Sequence, residues 1–285
     1  MPVRSPDGTL VSAWSNGGSG TPVLLCNGLG ASPAAWPAVV ARTGAVHVVT
    51  WDHRGLGASE RPRDPGRVQV EDHVADARAV LDAFGLDSAV VVGWSLGVNV
   101  AFELALEDPA RVRGVLAVAG VPGGSFSSLF APMGVPRRLR AVAGRHGSRL
   151  LPLVGPLLPL LLDSAQPWQP LLSLATASRS TEETARLRSL ATVVREFAGH
   201  DWRWFRHLAV AVAGHAPLDL SPLRCPVTFL AGRYDVLVDV ADVRSTARAV
   251  PGARYREFAA SHFLPLEQPE AMLEELRLLT GRVPV

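Results

Sequence analysis

An unbroken apolar run, Ala89–Gly93, meets Gly93-Trp94-Ser95-Leu96-Gly97, and a second apolar segment follows as far as Glu107. An apolar run without alternation suits a strand covered on both faces, as in a parallel sheet between helices. The segment Ser95–Glu107 reads as a mostly apolar helix stopped by Asp108-Pro109. This passage constrains the chain to a layered α/β arrangement with a serine at a strand-to-helix corner. Two readings of the corner are open. The glycines can serve a tight turn in which Ser95 only caps the helix. They can also keep side chains away from a nucleophile whose helix N-terminus offers N–H groups to developing negative charge.

The rest of the chain keeps the same rhythm at both ends. Val23–Cys26 predicts a strand running into Asn27-Gly28-Leu29-Gly30, and Ser32 and Pro33 predict the start of a helix to about Arg42. Val46–Trp51 predicts the next strand, ending at Asp52-His53-Arg54-Gly55. Val70, Val74, Ala77, Leu81 and Phe84 recur at spacings of four and three, the mark of one helical face, and Gly85 ends that helix. Val115–Val121 predicts a buried strand. After a break, Pro226–Gly232 and Arg254–Phe258 predict two more strands, with helices over about Asp239–Val250 and near Glu267–Leu279. Residues 122–221 show no strand alternation and read as a helical insertion, so the core is expected at 1–121 and 222–285. One short echo is visible: Gly28-Leu29-Gly30-Ala31-Ser32 against Gly55-Leu56-Gly57-Ala58-Ser59, as two loops that follow strands would give. The first copy fails as a dinucleotide fingerprint because Pro33 stands where its third glycine should be.

Composition removes several function classes. With 48% hydrophobic and 19% charged residues, the 285-residue chain has material for a substantial core. A formal charge of +2 without a basic stripe argues against nucleic acid; Arg137-Arg138-Leu139-Arg140 reads as the polar face of a helix. Cys26 and Cys225 make no disulfide framework and read as buried free thiols suited to a reducing cytosol. The N-terminus has no signal-peptide pattern, and a cytoplasmic location is expected. Leu150–Leu162, the longest apolar-rich stretch, is too short and too interrupted by proline to span a bilayer.

A serine hydroxyl needs a base, and the base needs a third group to hold it. Of eight histidines, His262 lies in a loop directly after the last strand, where α/β sheets gather their sites. His47 falls within a strand, His53 in the early turn, His73 on an amphipathic helix, and His146, His200, His207 and His215 in the insertion. Asp235 likewise follows a strand directly. Asp239 sits where a helix cap is expected, and Asp219 precedes its strand. The order Ser95, Asp235, His262 is the Ser…Asp…His order of α/β-hydrolases. Asp52 and Arg54 read as pins for their own loop. His200, His207 and His215 lack metal-ligand spacing, so no metal is expected.

With these segments in hand, the chain resembles the α/β-hydrolase superfamily, of the single-chain type with a helical cap. The resemblance rests on Cys26–Gly30, Asp52–Ser59, Gly93–Gly97, Gly232-Arg233-Tyr234-Asp235 and Ser261–Leu264. It implies a mostly parallel central sheet flanked by helices. It implies Ser95 as nucleophile, His262 as base and Asp235 as its orienting acid, with backbone N–H groups of Leu29 and Leu96 as the oxyanion hole. Asn27 stands where the family often has histidine; its side chain can still brace the loop through hydrogen bonds. Serine at the elbow argues against the relatives that use aspartate there to form an alkyl ester. Trp94 and Phe263 are expected at the substrate pocket, beneath a cap carrying Leu150–Leu162, Trp168, Trp202, Trp204 and Phe205. The expected activity is cofactor-free hydrolysis of a small-molecule ester by a monomer or homodimer. An acyltransferase, a carbon–carbon bond hydrolase and a non-catalytic binding protein on this scaffold remain open.

Overall fold

The computed structural model describes residues 1–41, 45–123, 152 and 192–283. Its centre is an eight-stranded sheet: β1 (Pro2–Arg4), β2 (Leu10–Ser15), β3 (Thr21–Cys26), β4 (Val46–Trp51), β5 (Ala89–Trp94), β6 (Val112–Val118), β7 (Val227–Gly232) and β8 (Arg254–Phe258). The spatial order is β1-β2-β4-β3-β5-β6-β7-β8. From β4 to β8 every pairing is parallel, while β1–β2 and β2–β4 are antiparallel.

The apolar runs are continuous because each strand feeds two cores. In β5, Val91 joins the cluster on one face, and Val90 and Val92 join the other. In β6, Val115 and Ala117 go one way, Leu116 and Val118 the other. The first face is covered by α2 (Val70–Ala83), α3 (Leu96–Glu107) and α5 (Val240–Ala249). The second is covered by α1 (Pro37–Val40) and α7 (Pro269–Thr280). Helix α4 (Trp202–Gly214) builds a third, smaller cluster with Trp202, Trp204, Phe205, Leu208, Leu56 and Val68.

Several sequence expectations need correction. The helix expected from Pro33 to about Arg42 is a 3-10 turn, Pro33–Ala35, followed by the single turn α1. Ser32 does cap the turn, accepting from the Ala34 N–H at 3.2 Å. Pro37 then pushes Trp36 out of the helical region, to φ −123° and ψ 53°. The strand expected at Val115–Val121 is Val112–Val118. Helix α3 starts at Leu96, not Ser95. Asp239 caps α5, accepting from the Ala241 N–H at 2.9 Å. Cys26 is buried as expected, whereas Cys225 is half-buried; both are free. Of the expected insertion, Arg137–Arg140, His146, Trp168 and Leu150–Leu162 other than Pro152 lie outside the described residues. Among the described residues, no helix is long and apolar enough to cross a membrane.

Candidate active site

Ser95 stands at the carboxyl end of β5 with φ 53° and ψ −114°, a conformation that residues other than glycine rarely adopt. Its side chain makes no capping bond to α3, so the corner is not explained by helix capping. The neighbours must be small. A Cβ on Gly97 would lie 1.9 Å from the Cys26 carbonyl oxygen, and one on Gly93 would lie 2.5 Å from the Gly97 carbonyl oxygen. The start of α3 is thereby pressed against the end of β3, which brings the Asn27–Gly30 loop beside Ser95. At Gly28, an added Cβ would sit 3.5 Å from the Ser95 Cβ.

Among the described residues, two N–H groups near this corner have no backbone partner. That of Leu96 begins α3 and has no intrahelical acceptor. That of Leu29 donates to no backbone group among the described residues. The loop that carries Leu29 is fixed from below by Asn27. Its Oδ1 accepts from Trp36 Nε1 at 3.0 Å, and its Nδ2 donates to Thr50 Oγ1 at 3.1 Å. Thr50 in turn donates to the Leu25 carbonyl at 2.7 Å. The same loop is held from above by the ring of His200, whose Nε2 lies 2.8 Å from the Gly30 carbonyl oxygen.

His262 and Asp235 meet at the ends of β8 and β7. His262 Nδ1 is 2.8 Å from Asp235 Oδ2. Asp235 is 3% exposed, and its Oδ1 accepts from the Leu237 and Val238 N–H groups at 2.8 and 2.9 Å. The two loops are joined by backbone bonds from Arg233 to Phe258 (2.8 Å) and from Tyr234 to Ala260 (2.9 Å). Among the described residues, no hydrogen bond links the Ser95 hydroxyl to His262. In ligand-free sites such contacts are often long and tighten with substrate. The rival carboxylates are elsewhere engaged: Asp239 caps α5, and Asp219 holds Ser221 in an exposed turn.

Trp94 is 3% exposed and belongs to the apolar cluster beneath the site. Its indole N–H donates to the His262 carbonyl at 3.0 Å, so it braces the His262 loop from within the core. Phe263 is exposed and packs edge-on against both Trp94 and His262. Glu267 had no role in the sequence reading. It accepts from the Ser261 N–H at 2.8 Å and also from the Ser261 hydroxyl, tying down the residue before His262. The short helix α6 (Leu264–Glu267) carries Glu267 back to Ser261, six residues earlier in the chain.

The Asp52–Ser59 loop is built differently. Arg54 is fully buried; its Nε and Nη2 donate to the two oxygens of Asp76, each at 2.8 Å. Arg54 also donates to Asp7 and to Ser5 Oγ. Asp52 accepts from the Ala58 N–H at 3.0 Å. His53 is buried with its ring 5.1 Å from that of His73. Burial, with His73 beside it, pushes the His53 ring down to about 3, so it is neutral at ordinary pH.

Comparisons with known proteins agree with the fold. A family model described as the alpha/beta hydrolase fold matches residues 21–269. "Putative carbamate hydrolase RutD" of Caulobacter segnis is 46% identical over 99 residues, 34% of this chain and 37% of that protein. The match thus spans little more than a third of that relative's length. "Rhodomycin D methylesterase DnrP" of Streptomyces peucetius is 28% identical over 306 residues, covering 95% of this chain and 96% of that one. Among solved structures, a thermophilic esterase from Thermogutta terrifontis superposes with a TM-score of 0.73 at 20% identity, covering 100% of this chain and 99% of that one. At that identity the likeness speaks for the fold.

Proposed function

The chain belongs to the α/β-hydrolase family, and we propose that within it the protein is a serine hydrolase that cleaves a carboxylic ester of a moderately apolar substrate. The observation that carries this reading is the pairing of His262 with Asp235 at 2.8 Å at the carboxyl end of the sheet, the same end as the strained Ser95, whose side chain makes no capping bond. A mere turn would need neither the strain nor the buried acid–base pair.

In this reading the Ser95 hydroxyl attacks the ester carbonyl while His262 Nε2 takes its proton. Asp235 holds Nδ1 and stabilises the imidazolium. The oxyanion of the tetrahedral intermediate is met by the Leu29 and Leu96 N–H groups, each such donor contributing about 3 kcal/mol in the transition state. Collapse breaks the ester C–O bond, and His262 returns the proton to the departing alcohol. Water then attacks acyl-Ser95 with His262 again as base, which releases the acid and restores the hydroxyl. These steps call for no cofactor. Residues 122–221 would cover the site as a cap, with Phe263 at the pocket margin. Full-length similarity to a methylesterase supports an ester as the substrate bond.

The test is a series of p-nitrophenyl esters of increasing acyl length, run on wild type and Ser95→Ala. Wild type should turn over at least one chain length, and Ser95→Ala should lose about 10⁴-fold or more in kcat. Equal rates for the two proteins would refute the proposal.

A further inference from the structure

At the root of the insertion, away from Ser95, three side chains from three helices converge. Glu71 comes from the first turn of α2, Glu103 from α3, and His215 is the C-cap residue of α4. One ligand atom of each lies within 4.8 Å of the other two. They border a cleft of about 490 Å³ that also receives His207 and Gln69.

Two of the three side chains are covered without adequate partners among the described residues. The side chains of Glu103 and His215 are 10% and 7% exposed. Among the described residues, Glu103 Oε2 and His215 Nε2 are both buried atoms with no hydrogen-bond partner. Among the described residues, no arginine pairs with Glu103 or Glu71; Arg78 nearby pairs with Glu107 and Asp108 instead. A buried carboxylate lacking such partners is costly. The distances indicate what would satisfy it. His215 Nε2 stands 3.3 Å from Glu103 Oε1 but makes no hydrogen bond. Bonds of about 2.0–2.1 Å to a tetrahedral zinc set ligand atoms roughly 3.4 Å apart. The buried pair is therefore already spaced as two ligands of one ion. Glu71 is exposed and free to close on it, and the cleft leaves room for water at the fourth position.

We propose that Glu71, Glu103 and His215 form a binding site for one zinc-like divalent transition cation, which clasps the root of the insertion to the core. An imidazole with two carboxylates suits zinc and disfavours magnesium or calcium, which take oxygen ligands. The clasp role follows from what meets there. On α3, one turn before Glu103, Asn99 Oδ1 accepts from the Gly123 N–H at 2.6 Å, where the chain leaves the core. A Cβ on Gly123 would lie 2.2 Å from the Ala216 carbonyl oxygen, where the chain returns. Asn99 and Glu103, four residues apart and so on one helix face, thus take the outgoing and the returning strands of chain.

The test is calorimetric titration of untagged, chelator-stripped protein with ZnCl₂, with MgCl₂ as control. Wild type should bind one Zn²⁺ with Kd below about 10 μM, and melting should shift upward with Zn²⁺ only. Glu103→Gln and His215→Ala should each weaken binding by about 10–100-fold or more, and Glu71→Gln by less. Glu103→Gln removes a charge that lacks a partner, so it should fold without metal even if His215→Ala does not. No Zn²⁺ binding tighter than 100 μM, or binding unchanged in Glu103→Gln, would overturn the proposal.

Discussion

Gly28-Leu29-Gly30-Ala31-Ser32 and Gly55-Leu56-Gly57-Ala58-Ser59 share five letters and follow adjacent parallel strands, yet different groups brace them. The second loop is pinned from within its own segment and from below, by Asp52 on the Ala58 N–H and by Arg54 on Asp76 and Asp7. Among the described residues, the first has no buried ion pair. Asn27 braces its base through Trp36 and Thr50, and His200 reaches its Gly30 carbonyl from the far side. What distinguishes them is place: β3 neighbours β5, so the first loop lies beside Ser95. Helix α4 and the turn before it reach both loops, Trp204 Nε1 donating to the Arg54 carbonyl at 2.8 Å and His200 Nε2 lying 2.8 Å from the Gly30 carbonyl oxygen; the buried ion pair belongs to the second loop and the place beside Ser95 to the first.

The comparison breaks most visibly at Arg54. Arg54→Ala leaves Asp76 buried and uncompensated, and should cost about 3–5 kcal/mol of stability in urea unfolding. Activity per folded molecule should change far less. In the first loop the balance reverses. Gly30 has φ +73°, and an added Cβ would sit 2.8 Å from both His200 and Phe205. Gly30→Ala should therefore shift the loop and lower kcat by roughly 10²-fold, with a smaller loss of stability.

Next in size is a pH effect seated beside the second loop. His53 is buried neutral at about 3 when folded, against an ordinary value near 6.5 when unfolded. The unfolded chain takes up the proton first, so the contribution is complete above about pH 6.5 and is lost as pH falls toward 3. Stability should drop by about 1 kcal/mol from this group between pH 6.5 and 5.5, and His53→Gln should flatten that slope. The smallest effect belongs to His200. His200→Ala should lower kcat by about 2–10-fold with KM little changed, and His200→Gln, which can still reach the Gly30 carbonyl, should recover most of it.

Much of this was legible in the sequence because the parallel strands are covered on both faces. Val90–Val92 and Val115–Val118 therefore print as unbroken apolar runs. The antiparallel margin was not legible. In β2 only Val11 and Ala13 are buried, and β1 is three residues long, too little pattern to count as strands. Arg113 and Gly114 hid the start of β6. At the site, Asp235 and His262 could be picked because loops at strand ends collect function. The indole bond from Trp94 to the His262 carbonyl could not, since it joins residues 168 apart. Neither could the meeting of Glu71, Glu103 and His215, which share no spacing and come together only where three helices end or pack.

The central claim is that Ser95 is a nucleophile activated by His262 and Asp235. Intact-protein and peptide mass spectrometry after treatment with a fluorophosphonate tests it directly. The account predicts one adduct, on Ser95, absent in Ser95→Ala and formed at least about 10³-fold more slowly in His262→Ala. A wild-type protein that stays unlabelled, or that carries the adduct on another serine, would contradict it.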